Sequence, residues 1–405
     1  MSLPSTRPDA LAQWEAFLPA ADSYGSRRNE LQPAHPWVSR LSPALRTRLV
    51  LEEELLDSLK TAWPFARVEK LVQEIVWRTY WKGWLEQRPS VWTSYQTWLA
   101  EERPRLPDAV REPIEAIQQG RSGVAFMDAL TQELKSTGYL HNHARMWFAA
   151  FWIHTRRLPW QAGADFFYRH LLDADAASNT LSWRWVAGLQ TPGKTYLVRR
   201  SNLEKYAATL VRSYPAGLEE LDDARAVPAA IKPEPNPPPR PLLNNLPIAP
   251  PAGPHALWLH WDDLCVEQHR PQPAMAAPSA VLAVWPQALV ESWSAVKITH
   301  FRTALRDGLD RASHAFGCPG IWLEAAHPAP ALMDWLRENR IPRLAAFRPF
   351  VGDWSSVPPA LEEAGVSTSW LHRDWDRSHF PSATKGFFGF WEQIRHPLAG
   401  AWPVG

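Results

Sequence analysis

The segment from residue 214 to residue 254 divides the chain into two stretches of different periodicity. Its last 28 residues read VPAAIKPEPNPPPRPLLNNLPIAPPAGP, rich in proline and without a hydrophobic repeat. Proline fixes φ and removes a backbone donor, so such a run neither continues a helix nor sits inside a sheet. It predicts an extended, semi-rigid linker. Before it, apolar residues recur at helical spacing, and no convincing alternating strand precedes about residue 190. The helical patterns cover Ala10–Leu18, residues 43–60, residues 66–86, Phe126–Lys135, a stretch from Asn142, and Trp160–Leu172. Pro104 and Pro107 interrupt them, and Gly138 sets a turn.

After the linker the pattern switches. Short apolar runs at 255–261 (HALWLHW), 280–286 (AVLAVWP), 320–325 (GIWLEA), 343–347 (RLAAF) and 367–372 (STSWLH) read as buried strands. Helical patterns at Ile298–Phe316, Ala331–Arg340 and Pro358–Ala364 separate them. Strands alternating with helices predict a parallel α/β sheet. The predicted fold is α plus α/β. An all-helical domain (1–213) precedes the linker (214–254), and a Rossmann-like parallel α/β domain (255–405) follows it. No GxGxxG or Walker loop follows any strand.

Composition removes several function classes. Two cysteines, Cys265 and Cys318, supply neither a cysteine-rich metal site nor a disulfide framework. A net charge of +1 provides no global attraction to nucleic acid, so any such contact needs a local basic patch. No run approaches the roughly 18 apolar residues of a spanning helix. The N-terminus MSLPSTRPDALAQW has no signal-peptide core. A cytoplasmic protein without membrane or metal is expected. The 24 tryptophans are the unusual entry in the composition. Indoles fill cores, stack on bases or carry electrons.

The stretch Thr137–Trp185 holds polar groups that a plain core would not choose. Asn142, Arg145 and Met146 stand at i, i+3 and i+4 and share one helical face. Glu74, Trp77 and Arg78 repeat that spacing upstream. Asp173, Asp175 and Asn179 follow, then Trp183 and Trp185. Such a set inside a helical pattern reads either as a polar site or as a bundle with satisfied polar groups.

These words resemble the FAD-binding helical domain of the DNA photolyases and cryptochromes. TGYLHNHARM, LLDADAASN and WRW match in order and spacing, as do VSRLSP at Val38–Pro43 and EIVWR at Glu74–Arg78. The likeness covers about residues 10 to 206. The α/β half also resembles a part of that family, the domain that normally precedes the helical one. ALWLHWDDL is placed like its first strand and KGFFGFWEQI like its closing aromatic segment. The resemblance therefore implies a circularly permuted domain order. It implies FAD as cofactor and leaves an antenna chromophore unknown, since FRPFVGDW carries no folate-antenna motif. The family's iron–sulfur branch needs four cysteine ligands, which this chain lacks.

Carried over by position, Tyr24, Ser39, Arg40, Leu41 and Ser42 would hold the FAD phosphates. Ser42-Pro43 is equally a plain N-cap. Val38 replaces the usual threonine and loses a hydroxyl. Arg78 would be a further ligand. Arg145 and Asp173 would pair beside the isoalloxazine, with Asp175 and Asn179 along its polar edge. The lesion pocket implied is Glu74, Trp77, Asn142, Met146 and Trp185, with indoles stacking on flipped bases. His143 stands where many relatives carry arginine, and Tyr139 replaces a common tryptophan. His141 and His143 read as structural, two apart and facing differently. Trp183 and Trp160 match an electron-transfer chain. Its third position falls in RLPDA (105–109), which has no aromatic residue. Three outcomes stay open: a substitute such as Trp147, Trp152 or Tyr196, a truncated chain, or no photoreduction. Arg156, Arg157, Lys194, Arg199 and Arg200 make a candidate basic rim or a solvated surface. The implied function is light-driven repair of cyclobutane pyrimidine dimers in UV-damaged DNA. The alternatives are a cryptochrome-like photoreceptor without repair and a flavoprotein without a light-dependent role.

Overall fold

A computed structural model describes residues 3–191, 195–222, 224–227, 235–242, 253–269 and 276–402. Its first half is helical: α1 (Arg7–Phe17), α2 (Tyr24–Arg27), α3 (Ser42–Arg46), α4 (Glu52–Ala62), α5 (Phe65–Glu86), α6 (Ser90–Glu101), α7 (Asp108–Gln118), α8 (Ala125–Thr137), α9 (Asn142–Ala150), α10 (Trp160–His170), α11 (Ala176–Val186), α12 (Arg200–Tyr206) and α13 (Ala208–Ser213). Local chemistry sets several ends. The Thr6 hydroxyl accepts from Asp9 N at the start of α1. Gly138 ends α8 in the left-handed region at φ 67°, and a Cβ there would lie 2.6 Å from Leu172 Cγ, so only glycine fits. α9 runs on into a π turn, Phe151–Thr155.

One expected helix is two. Residues 43–60 divide into α3 and α4 because Arg48 takes φ 52°. That turn lets Arg48 aim at Asp376 and Asp263 while Arg46 aims at Asp262 and Asp353. No glycine or proline marks the break in residues 44–51.

The second half holds a five-stranded sheet, all parallel: β1 (Ala256–Leu259), β2 (Ala280–Pro286), β3 (Gly320–Ala325), β4 (Arg343–Phe347) and β5 (Ser367–Leu371), ordered β3-β2-β1-β4-β5. Strands β1 and β2 are buried throughout, which accounts for their unbroken apolar sequences. Chain direction across the sheet reverses between β1 and β4. In open parallel sheets the crevice at that switch point is a common ligand site. Trp261 and Trp354, in the segments that follow β1 and β4, pack with ring centroids 4.2 Å apart and are both fully buried.

The sheet's carboxyl edge docks on residues 46–48. Leu264 N donates to Thr47 O at 2.9 Å. Arg46 bonds Asp262 at 2.8 Å and Asp353 at 3.2 Å. Arg48 bonds Asp376 at 2.6 Å and Asp263 at 3.2 Å, and Arg373 completes the pair on Asp263 at 2.5 Å. Burial works against the Arg46 charge, but Asp262, Asp353 and Asp175 outweigh it and raise its pKa. Packing is equally close between α5 and residues 380–383, where a Cβ on Gly83 would lie 2.9 Å from Phe380 Cα.

The 214–254 segment departs from an extended rod. Leu218–Leu221 forms a 3₁₀ turn with both leucines buried, because apolar side chains draw it onto the helices. Residues 235–242 have no regular structure but are tied down. Asn236 accepts from Arg184 at 2.7 Å, Pro237 O accepts from Arg88 at 2.9 Å, and Arg240 N donates to Gln87 O at 2.8 Å. Residues 223, 228–234 and 243–252 of the expected linker lie outside the described residues.

Candidate functional site

Helix α5 buries most of its residues but leaves Glu74, Trp77 and Arg78 partly open. Helix α9 does the same at Asn142, Arg145 and Met146, with Asn142 exposed. The two triplets are the faces that helical spacing singled out. They converge on Asp173, in the turn between α10 and α11. Arg145 Nη1 donates to its carboxylate at 2.9 Å, and Arg78 Nη1 donates to its carbonyl at 3.3 Å. Arg145 Nε also donates to Leu140 O at 2.8 Å, which fixes the guanidinium.

Asp173 and Asp175 are both buried. Burial pushes the Asp173 carboxyl up, but Arg145, Arg78 and the Ser42 hydroxyl hold it below the ordinary range. Asp175 caps α11, accepting from Ser178 N at 2.7 Å, and forms an ion pair with Arg78. Burial raises its pKa, and Arg78, Arg46 and Lys82 more than reverse that. Ser42 therefore reaches Asp173 while Arg46, one turn on, reaches the sheet. The five-residue helix α3 couples the two halves through this spacing. A narrow cavity lies between them, lined in part by Arg46, Lys82, Glu86, Asp175, Asp262 and Asp353.

Tyr24 is buried. Arg40 sits at φ 56° and Leu41 N donates to Ser39 Oγ at 3.4 Å. Gln13 anchors Ser39 O at 2.6 Å. Asn179, buried on α11, donates its amide nitrogen to Ala164 O at 2.9 Å, which leaves its oxygen to accept from a ligand N–H.

The residues expected to line a lesion pocket are partly committed elsewhere. Glu74 is paired with Arg28 at 3.0 Å. Trp77 stacks on Phe387 at 3.6 Å and 8°, so one indole face is covered. Trp185 neighbours Tyr196 at 6.1 Å, whose hydroxyl lies 3.4 Å from His143 Nε2. Sequence reasoning missed Arg28 and Phe387 as neighbours of the site. Arg28 follows Tyr24 at i+4, which was the available signal. Phe387 comes from the C-terminal helix Phe387–Gly400, more than 300 residues from Trp77.

His141 and His143 have structural partners. His141 Nδ1 caps α9 by accepting His143 N at 3.2 Å, and His143 Nδ1 meets Asn29 O at 3.1 Å. Burial pushes His141 down to about 3. Two residues of the expected basic rim, Arg156 and Arg200, have carboxylate partners. Arg156 pairs with Glu220 at 2.7 Å, Arg200 pairs with Glu204 at 2.8 Å, and Arg199 donates to Asp222 O at 2.8 Å. Lys194 lies outside the described residues. Among the described residues no His, Cys, Asp and Glu group could hold a metal, and no helix is long and apolar enough to cross a membrane.

Trp183 is buried against α10. A Cβ on Gly163 would lie 2.4 Å from its ring. Its ring neighbours are Phe167 at 5.1 Å and Trp152 at 6.2 Å. Trp152 donates to Pro159 O at 2.9 Å, beside Trp160. Trp160 stacks on Tyr95 of α6 at 5.7 Å.

Residues 71–225 match the FAD binding domain of DNA photolyase. Through this stretch the chain is similar to the photolyases and cryptochromes, and FAD is the cofactor that the match supports. It is similar to the deoxyribodipyrimidine photo-lyase of Thermus thermophilus, 34% identical over 46% of this chain and 44% of that protein. It is also similar to a cryptochrome DASH of Natronomonas pharaonis, 32% identical over 42% and 35%. A bacterial class III photolyase from Agrobacterium tumefaciens, of known structure, is 25% identical with a TM-score of 0.43, over 52% of this chain and 44% of that one. The chain spans less than half the length of the curated relatives it matches. The FAD assignment fits the donors present. A flavin that gains electrons gains negative charge, and Arg145 and Arg78 are guanidinium groups held in place by buried carboxylates at a partly open cleft.

Proposed function

We propose that this protein is a light-driven flavoprotein that splits cyclobutane pyrimidine dimers in DNA. The convergence of Arg145 and Arg78 on Asp173, beneath two partly open helical faces, carries this reading. Ser39–Ser42 and Tyr24 would hold the phosphates, Arg78 would be a further ligand, and Arg145, Asp173, Asp175 and Asn179 would surround the isoalloxazine. When bound and reduced, FAD supplies the photo-excited electron that opens the dimer; the electron returns, so there is no net redox change. Asn142 and Met146 would meet the dimer from α9, Glu74 and Trp77 from α5, and Trp185 from α11. For this Glu74 must leave Arg28, and a flipped base must stack on the Trp77 face that Phe387 leaves open.

Residues 1–213 and 255–405 are proposed as helical and Rossmann-like domains in permuted order, joined by 214–254. The all-parallel β3-β2-β1-β4-β5 order supports the second assignment. UV-damaged DNA is the proposed partner and the cytoplasm the proposed location.

A photoreceptor that binds FAD without repair is the second reading. The Arg28–Glu74 pair, the Phe387 stack and the carboxylate pairing of Arg156 and Arg200 favour it. The deciding experiment is repair of an oligonucleotide containing one thymine dimer, by reduced protein, in blue light and in darkness. Light-dependent loss of the dimer is expected. Unchanged dimer with flavin bound and reduced selects the photoreceptor.

A further inference from the structure

The two edges of the sheet differ. At one, β5 reads STSWL, with small hydroxyl residues at its first three positions. At the other, β3 reads GIWLEA and pairs only with β2, in an unbroken register from Gly320 to Ala325. Val281 N of β2 donates to Pro319 O at 2.9 Å. Main-chain groups alternate in direction along a strand, so Ile321 and Leu323 also turn theirs toward β2. Gly320, Trp322 and Glu324 turn theirs outward, and among the described residues no main-chain group pairs with them. An open row of this kind is a template for another strand, and proteins blunt it with proline, lysine or a bulge. β3 has none of the three, and its Ile321, Trp322 and Leu323 are only half-buried.

Side chains follow the same alternation. Trp322 and Glu324 share one face, on the side of the helix Ala295–Phe316. Arg306 of that helix stands 4.2 Å over the Trp322 ring. Arg302, one turn earlier, lies 5.6 Å from the same ring and pairs with Glu324. Trp322 Nε1 also donates to Glu324 at 3.1 Å. The corner therefore has two guanidinium groups and one carboxylate. Among the described residues Arg306 has no carboxylate partner.

We propose that two copies of this chain associate through β3, running antiparallel about a two-fold axis at Leu323, so that their sheets become one. The inference does not depend on the flavoprotein reading above. A two-fold contact must be self-complementary, and this corner is. In the register centred on Leu323, Trp322 of each copy faces Glu324 of the other. Both residues direct their main-chain groups outward, so each such pair exchanges two hydrogen bonds. Directly opposed residues have Cβ atoms about 5 Å apart on the same face. Glu324 of one copy thus reaches the Trp322 ring of the other, and the carboxylate meets the Arg306 that lies over that ring. The neighbouring register, Trp322 on Trp322, pairs the main chain equally well. It sets Glu324 opposite Gly320, which has no side chain to meet it, so side-chain charge selects the first register.

The test is sedimentation velocity of the full chain from low to high micromolar concentration. The parent is compared with Glu324→Arg, Arg306→Glu, the double variant carrying both, and Glu324→Pro, with melting curves to check folding. The Arg302–Glu324 pair is half exposed, so the charge changes should leave the fold intact. The parent is expected to pass from monomer to dimer as concentration rises. Each single reversal should weaken the dimer by roughly tenfold or more, because like charges then meet across the axis. The double variant should recover it, since the pair is rebuilt with its signs exchanged. Glu324→Pro removes an outward N–H while sparing the ladder to β2, and should stay monomeric. A parent that is monomeric at every concentration overturns the proposal, as does a dimer that Glu324→Pro leaves unchanged. A dimer that proline blocks but the double variant fails to restore overturns the register.

Discussion

Asp173 has two guanidinium neighbours and almost no solvent. Replacing it with asparagine leaves Arg145 without its carboxylate. Breaking such a pair from one side costs about 3–5 kcal/mol when fully buried, and less here because Arg145 is partly open. Asp173→Asn should therefore lower the urea midpoint, while Asn142→Ala, at an exposed position, should leave it near the parent value. The depressed pKa values of Asp173 and Asp175 also set a pH window. A group whose folded pKa lies below its unfolded value stabilises the fold above the unfolded value, about 3.9 for Asp. That stabilisation is lost as pH falls further toward the folded values. Urea midpoints should drop below about pH 4, with a shallower drop in Asp173→Asn. Lys82 is the opposite kind of residue. It is buried, its ammonium has no hydrogen-bond partner, and it lies 4.1 Å over the Phe350 ring. Burial, with Arg48 and Arg46, pushes it down to about 8 against Asp175 and Asp262. The folded state binds fewer protons there, so this residue makes stability rise with pH from about 8 toward 10. Lys82→Met should flatten that rise and stabilise the protein at pH 7 by about 1–3 kcal/mol, as a buried charge is replaced by an apolar group of similar length. At this scale helical spacing identified the faces 74/77/78 and 142/145/146. It could not show that Arg28 claims Glu74, or that Asn179 donates to Ala164. Such partners come from distant segments and leave no periodic trace.

Helix α11 shows what an element contributes. Asp175 caps its start, Trp183 fits against Gly163, and Trp185 stands near its end. Gly163 is required for space, since a Cβ there would lie 2.4 Å from the Trp183 ring. Gly163→Ala should displace that ring and cost about 1–3 kcal/mol by overpacking. A shifted indole fluorescence maximum and a lowered melting temperature would register it; unchanged values would mean that α10 and α11 separate freely. Most elements were legible in the sequence because each signal was local. Apolar runs between turn residues became β1 to β5, and Gly138 ended α8. The α3–α4 break was not legible. Arg48 adopts a left-handed φ because tertiary ion pairs require it, and no local residue signals that turn. Helices α6 and α7 were also passed over, since Pro104 and Pro107 drew attention to the interruption rather than to its flanks.

Across the whole molecule, buried ion pairs join the helices to the sheet. Arg48 is buried against Asp376 and Asp263, with Arg373 sharing the latter. Removing one charge leaves others buried and unpaired, which costs about 3–5 kcal/mol. Arg48→Met should lower stability by about that amount in urea titration, more than Arg200→Ala, whose pair with Glu204 is half exposed. The change of pattern around the proline-rich segment matches where the helices give way to the parallel sheet. The charges that join the parts were not foretold, because Arg46, Arg48, Asp262 and Asp353 look like ordinary surface residues in sequence. FAD is proposed to be held where Arg145 and Arg78 meet Asp173. The most direct test is calorimetric titration of FAD into flavin-free protein, for the parent and for Arg145→Met. The expected result is one FAD bound per chain by the parent and at least tenfold weaker binding by the variant, a loss of about 1.4 kcal/mol or more. Equal affinity in the two proteins, with both folded, would contradict it.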